Sequence, residues 1–383
     1  MKKKIHIFTI HDLVKFPPMQ SLIWILLDLN VKVSLVGYCS DKKTQEVFEN
    51  KGVEFIPIQY NIYRSNIKKI VEQIRFKKQI VNYINKYYNK SEDLIWFDYT
   101  EVAYILHKIL GQTDYVIQFY EFVNLSHWKY RLMYPSYNYK QFIKKAKGVI
   151  HCEYNRAHIL RGLCELEKLP FILPNKPYFN EITNESIPED IAAIIKNLKT
   201  KLADKKVILY QGVFNSNERR LEEFCEAVND MSQEFVLLVM GAGNEYYLKL
   251  RKKYESDKII FIPFIKPPFH LLVTELAHIG ILTYFPMDSS YAGVLNPLYC
   301  APNKIFEYGQ YGIPMISNDL PGISSIFNEY KCGKIVPYPM SKDNVKEGLD
   351  FIFSHYEDYN GNSKKYYDSI DLRSIISDII SPS

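Results

Sequence analysis

Short apolar runs alternate with helix-length amphipathic segments along nearly the whole chain, the pattern of parallel strands joined by crossover helices. "KIHIFTI" (4–10) reads as a first strand, followed by a loop at Pro17-Pro18 and a helix near 19–29. "VKVSLVG" (31–37) and "VEFIPI" (53–58) read as the next strands, then a basic helix over 65–88, then "DLIWF" (93–97), "YVIQFY" (115–120) and "KGVIHC" (147–152) as the last strand of this unit. "LPNKPYF" (173–179) breaks regular structure. The polar "NEITNESIPED" after it reads as a linker, with a helix starting near Pro188.

A second unit repeats the alternation: "KVILYQG" (206–212), a helix at 217–229, "EFVLLVMG" (234–241), a helix at 244–254, "KIIFIPF" (258–264), "HIGILTYF" (278–285), a helix at 302–311 and "PMISN" (314–318). The segment 341–383 reads as helical with no further strand. The fold class is therefore α/β, two Rossmann-like doubly wound domains over 1–178 and 179–360, facing a central cleft. Ligands in such folds lie beyond the carboxyl ends of the strands.

Composition narrows this little. At 383 residues, 47% apolar and 24% charged, the chain is a globular protein too long for one core. Six cysteines (Cys39, Cys152, Cys164, Cys225, Cys300, Cys332) form no CxxC pair, which predicts reduced thiols in a cytoplasmic protein and no metal site. "MKKKIHIFTIHD" has too short an apolar run for a signal peptide, and no window is apolar enough to span a membrane. Charge changes the picture more. Residues 1–180 hold 27 Lys and Arg against 16 Asp and Glu, a surplus of +11, while the rest of the chain carries −6. A basic first half suits an anionic partner such as a membrane surface or a lipid-linked diphosphate, or is a solvated lysine face. Nucleic acid is disfavoured because no binding motif accompanies the charge.

Three loops at strand ends of the second unit carry phosphate chemistry. In "YQGVFNSNERRLEEF", Gly212 lets a ligand approach the backbone and Arg219, opening a helix, is placed to clamp a phosphate, with Arg220 as the alternative. In "LLVMGAGNEYYLKL", Gly241 begins a Gly-x-Gly turn, and Asn244 is a ligand contact or a plain N-cap. In "YCAPNKIFEYGQYGIPMIS", Pro302 suits a first helical position and Ala301 offers no side-chain cap, so a bound anion can satisfy the free N–H groups at the start of the helix, in the Pro302–Asn303–Lys304 stretch, with Lys304 adding charge. Glu307 lies about 7.5 Å further along the helix. There its carboxylate can accept from two adjacent sugar hydroxyls, or pair with a neighbouring Lys.

"APNKIFEYGQYGIPMISNDLPG" resembles the nucleotide-sugar segment of glycosyltransferase family 4 and its close relatives, retaining enzymes of the GT-B fold. "LYQGVFNSNERRLEEF", "LLVMGAGNEYYLKL", "IIFIPFIKPPFHLLVTELAHIGIL" and "KKAKGVIHCEYNRAHIL…LPNKP" follow the family's order, so the likeness runs over about 115–340. It implies transfer of a sugar from a nucleotide donor, UDP-linked, to a glycan or lipid-linked glycan, with no cofactor and no required metal. It also implies that 361–383 returns to the first domain. By position Glu307 takes the ribose, Arg219 and the 302–304 amides hold the diphosphate, and the backbone at Phe264 and Ile265 faces the base. The family's first Glu, which contacts the donor sugar, is here Tyr299, and the usual Lys after the phosphate Arg is missing at Glu222-Glu223. Asn296 is the replacement contact for the sugar.

In the first unit, His11 beside Asp12 on the first-strand loop is the candidate base of an inverting course. In a retaining course the donor's phosphate takes the acceptor proton instead. Glu121 at the end of "YVIQFYEF" and His127 on the same loop are candidate sugar or acceptor contacts, and Arg156 reads as structural. Within 65–90, Ile67, Ile70, Val71 and Ile74 form a stripe at helical spacing among seven Lys and Arg. That stripe faces either the core or an anionic membrane. Two rival functions remain: a non-catalytic partner subunit on the same fold, suggested by Tyr299, and a nucleotide-sugar epimerase.

Overall fold

The structure, a computed structural model of the chain, describes residues 4–123, 125, 128–178 and 187–381. The chain forms two compact units, Met1–Phe179 together with Asp371–Ser383, and Asn180–Ile370. The first is built on a parallel sheet of β1 (Lys4–Asp12), β2 (Lys32–Tyr38), β3 (Glu54–Pro57), β4 (Asp93–Asp98), β5 (Tyr115–Phe119), β6 (Gly148–His151) and β7 (Phe171–Ile172), in the order β3-β2-β1-β4-β5-β6-β7. The second has β8 (Lys206–Gly212), β9 (Phe235–Gly241), β10 (Ile259–Pro263), β11 (Ile279–Leu282), β12 (Met315–Asn318) and β13 (Gly333–Val336), in the order β10-β9-β8-β11-β12-β13.

Both orders reverse beside the first strand of the unit, at β1/β4 and at β8/β11, which makes these the topological switch points. Helices cover both faces of each sheet, so the strands are apolar on both sides. In β8, Ile208 and Tyr210 enter one helix–sheet layer and Val207 and Leu209 the other. Such strands leave little room for polar side chains except at their carboxyl ends. Register in β1 is regular from Lys4 to Phe8 against β2 and then shifts before Asp12. The irregularity falls between Phe8 and Asp12, the stretch that carries His11.

Several elements differ from the sequence expectations. The strand at the edge of the first unit is β7, not 147–152, and β13 follows 314–318; each is too short to announce itself by periodicity. Helix Pro17–Asp28 starts earlier than expected, with Pro17 in the first turn. The expected helix at 217–229 begins only at Glu222. Asn215 holds the preceding residues in a turn, its carbonyl accepting from Arg219 N at 2.7 Å and its side chain from Asn217 N at 3.0 Å. Arg219 therefore precedes the helix and does not open it. A further helix, Tyr291–Leu298, contains Asn296. The expected 302–311 helix is shorter, Lys304–Gly309, and Pro302 lies outside it. Gly312 ends this region at φ +69°, where Ile313 N reaches back to Tyr308 O at 3.1 Å.

The chain re-enters the first unit at Asp371, later than 361, because helix Tyr356–Ser369 is held in the second unit by Tyr366 stacked on Phe306. Helix Leu372–Ile380 then buries Leu372, Ile376, Ile379 and Ile380 in the first unit. There Arg373 Nη1 lies 4.0 Å from Asp28 on helix Pro17–Asp28. The 180–186 part of the expected linker lies outside the described residues, and Pro188 caps helix Glu189–Lys201.

Candidate functional site

At the β8/β11 switch point two cations lie side by side, Lys304 buried and Arg219 half-buried. Lys304 Nζ sits 4.5 Å from the Tyr210 ring centroid and 5.1 Å from that of Tyr284, and Arg219 Cζ sits 5.2 Å from the Tyr284 ring. Neither Lys304 Nζ nor Arg219 Nε has a hydrogen-bond partner among the described residues, although both atoms are buried. The nearest carboxylate, Glu218 Oε2, approaches Arg219 Nε only to 3.6 Å. Burial, and then the repulsion of Arg219, push the Lys304 pKa down to about 7. Arg220 points elsewhere, over the Phe285 ring at 3.9 Å. Of the two arginines, Arg219 is therefore the one beside Lys304.

Gly212 closes one wall of this site. At φ +135° it holds a conformation that side chains avoid, and a Cβ there would meet Lys304 Nζ at 3.7 Å. A buried ammonium without a hydrogen bond, as at Lys304, is costly unless an anion completes the site. Lys304 Nζ and Arg219 Nε have donor capacity that a phosphate oxygen could accept.

One turn along from Lys304, Glu307 is held in a cradle absent from the sequence expectations. Its Oε2 accepts from Gln211 Nε2 at 2.7 Å, and its Oε1 lies 3.3 Å from His270 Nε2. Gln211 is fixed in turn by Thr274, whose hydroxyl donates to Gln211 Oε1 at 2.7 Å. Burial raises the Glu307 pKa, but His270, Gln211 and Lys304 outweigh it and hold the carboxyl below its ordinary value. The carboxylate is thus ionised, anchored, and still 12% exposed in its side chain, enough to accept hydroxyl donors. The expected alternative, a plain Lys–Glu pair, is not what forms. Asn303 precedes the helix with no side-chain cap, and Pro302 brings no amide.

The other expected donor residues divide. Gly241 ends β9 with its Cβ position already filled, 2.2 Å from Gly212 O and 2.3 Å from Phe214 Cε2, so packing alone requires the glycine. Asn244 is an N-cap, accepting from Tyr247 N at 2.9 Å. Beyond β10, Ile265 is buried in the core whereas the Phe264 ring is 53% exposed, free to stack on a planar group.

The first unit carries a separate pocket of about 700 Å³ at its own switch point. His11, Phe16, Asp98, Tyr104, Tyr120 and Glu121 are among its walls. His11 Nε2 lies 3.2 Å from Asp98 Oδ2, which also accepts from Thr9 Oγ1 at 3.2 Å. The expected neighbour Asp12 is committed elsewhere, accepting from Ser40 Oγ at 2.6 Å and Val14 N at 3.3 Å. Asp98 is buried, and burial pushes its pKa up to about 7. Burial lowers the His11 pKa while Glu121 opposes the shift. The side-chain oxygens of Tyr120 and Thr100, another lining residue, are buried without partners among the described residues. Glu121 stands two residues beyond the end of β5 and not on it. His127 lies outside the described residues. Arg156 donates to the Tyr120 carbonyl at 2.7 Å, a structural bond.

Asp98, Gln211, His270 and Thr274 were missed in the sequence. Asp98 and Gln211 had a signal, being polar residues at the ends of apolar strands at switch points. His270 and Thr274 had none.

Residues 205–350, a span inside the second unit, match the glycosyl transferases group 1 family. No curated protein matches the chain in sequence. Among solved structures, HepE from Anabaena in complex with UDP-glucose superposes with a TM-score of 0.65 at 12% identity, covering 99% of this chain and 98% of that one. Sucrose-phosphate synthase from Thermosynechococcus elongatus gives 0.68 at 15% identity, over 99% and 97%. WaaG, a glycosyltransferase involved in lipopolysaccharide biosynthesis, gives 0.55 at 14%, over 99% and 100%. At such identities the superpositions speak for the fold, and the sequence match speaks for the chemistry. The chain has the GT-B fold, and residues 205–350 of its second unit carry a glycosyl transferases group 1 domain.

Proposed function

We propose that this enzyme transfers a sugar from a UDP-sugar to a hydroxyl of a glycan or lipid-linked glycan, with retention, in surface-polysaccharide or glycoconjugate synthesis. The observation that carries the donor half is the buried Lys304 Nζ, without a hydrogen-bond partner among the described residues, with Arg219 next to it, beside Gly212 and one turn from the anchored Glu307. In this reading the cations neutralise the diphosphate as it departs, so no metal ion is required. Glu307 binds the ribose hydroxyls and Phe264 stacks on the base. Asn296 contacts the sugar. HepE binds UDP and UDP-glucose, which supports uracil as the base.

The acceptor half rests on the first-unit pocket. Aromatic walls suit the apolar faces of a sugar ring, and the partnerless hydroxyls of Thr100 and Tyr120 suit its polar rim. Its charged walls, Asp98, Glu101 and Glu121, are carboxylates, and no Lys or Arg lines it among the described residues. The pocket thus favours sugar hydroxyls over an acceptor phosphate. In the retaining course the donor's own phosphate accepts the hydroxyl proton, and His11 and Glu121 position the acceptor. Inversion is the second reading, favoured by the approach of His11 to Asp98, which would make His11 the base. The reading places the enzyme in the cytoplasm, at the inner face of a membrane.

Thermal shift with UDP, GDP, ADP and CMP on the wild type and Glu307→Ala tests the donor half. The expected result is a rise in Tm with UDP that the variant loses. No response to any nucleotide at millimolar concentration overturns it in favour of a non-catalytic partner subunit.

A further inference from the structure

Helix Asn66–Tyr87 is amphipathic twice over. Its core face is Phe76, Ile80, Tyr83 and Ile84, with the buried Glu72 and Gln73. The stripe of Ile67, Ile70, Val71 and Ile74 lies on the opposite side of the helix and is exposed, at 76%, 47%, 61% and 64%. The sequence allowed the stripe a core partner or a membrane; the core position is taken by other residues. Nearby, helix Trp128–Met133 exposes Trp128 at 66% and Leu132 at 76%. The second helix is tied to the first by Tyr134, just past it, whose hydroxyl donates at 2.8 Å to Oε1 of Gln73, a residue of the core face.

Charge selects the occupant of this surface. Arg64, Lys68, Lys69 and Lys78 are exposed around the stripe, and among the helix's cations only Arg75 pairs with a carboxylate among the described residues. Exposed isoleucines ringed by free cations match a surface that is apolar below and anionic above. A second copy of this chain would instead bring like charge against like. The patch also continues into the acceptor pocket: Ile62, 81% exposed, lies just ahead of the helix and lines the pocket together with Tyr130 of the second helix.

We infer that the exposed stripe of helix Asn66–Tyr87, with the adjoining face of helix Trp128–Met133, docks the chain on an anionic lipid bilayer and sets the rim of the acceptor pocket at the membrane surface. This gives a lipid-borne acceptor a short path into the pocket; that purpose rests on the proposed acceptor, whereas the docking does not. The apolar side chains enter the headgroup boundary and the cations engage lipid phosphates.

The test is cosedimentation with vesicles of equal parts phosphatidylglycerol and phosphatidylcholine, against phosphatidylcholine alone, for the wild type, Ile67→Ser/Ile70→Ser/Ile74→Ser and Lys68→Glu/Lys69→Glu. The wild type is expected to bind the anionic vesicles, more weakly as salt rises. Each variant should lose about tenfold or more in partitioning. UDP-induced thermal shift, read on the same samples, should be unchanged in both variants, so lost docking is not lost folding. A wild type without a UDP response would count against the donor reading and leave docking standing. Absence of vesicle binding at low salt overturns the inference, as does equal binding by all three proteins. So does a wild-type dimer that the serine variant dissociates without any vesicle binding.

Discussion

The proposed contact of Lys304 with the diphosphate predicts that nucleotide affinity depends on pH. In the free protein burial and Arg219 hold its pKa near 7, against 10.5 for an ordinary lysine. The groups around it are Arg219, Glu218, Glu307, Cys300 and the rings of Tyr210 and Tyr284. A bound diphosphate restores the missing counter-charge, so the pKa in the complex moves back toward 10.5. Binding then takes up a proton wherever free Lys304 is neutral. At pH 8 the uptake is about 0.9 proton per UDP, and between pH 7 and 9 affinity falls about 50-fold, or about 2.3 kcal/mol, if the shift is fully reversed. That window lies above the second phosphate ionisation near pH 6, so the diphosphate's own charge is nearly constant across it. Isothermal titration of UDP in buffers of different ionisation enthalpy reads the proton directly.

Lys304→Met should show almost no uptake and a flat profile. The stability of the free protein moves the other way. Lys304 in the unfolded chain holds its proton up to about 10.5 and in the folded chain only to about 7, so its contribution to stability rises with pH between those values. A wild type that takes up no proton at pH 8, or a variant with the same pH slope, refutes the assignment of Lys304 to the diphosphate.

Two other expectations bear on the rest of the structure. Gly280→Ala would place a Cβ 2.4 Å from Tyr308 Cδ2 in a fully packed layer, a cost of about 1–3 kcal/mol in denaturant unfolding; Tyr308 adjoins Glu307, so UDP affinity should fall as well, and an unchanged midpoint would show that the layer yields. His11→Ala should raise the KM for the acceptor with kcat changed less than about tenfold, since a positioning role leaves the proton to the donor phosphate. Loss of about a hundredfold or more in kcat, the range of a general base, with an anomerically inverted product by NMR, would transfer the reaction to the inverting course.

The architecture was legible because strands buried on both faces read as unbroken apolar runs, and eleven of the thirteen are long or apolar enough to stand out. The 299–317 segment was legible for a chemical reason: Pro-Asn-Lys with no side-chain cap, then an acid between Phe306 and Tyr308, is hard to explain by packing. What failed was pairing across distance. His11 was read with its chain neighbour Asp12, but on the folded sheet it meets Asp98, brought beside it by the β1/β4 pairing. The Gln211–Glu307–His270 cradle likewise joins three elements that only the tertiary fold assembles. Helix Asn66–Tyr87 shows a further limit. Periodicity finds apolar stripes, but it cannot say which of two stripes meets the core.

The re-entry of the chain at Asp371 has a temporal side. The second unit is continuous from Asn180 to Ile370, whereas the first needs helix Leu372–Ile380 to cover helix Pro17–Asp28. During synthesis the usual order, amino-terminal domain first, is therefore inverted at the final step. The group 1 domain can finish folding while the sheet made before it still waits, with the apolar residues of helix Pro17–Asp28 uncovered, for Leu372, Ile376, Ile379 and Ile380 to emerge. The half that was translated earliest is the half completed last.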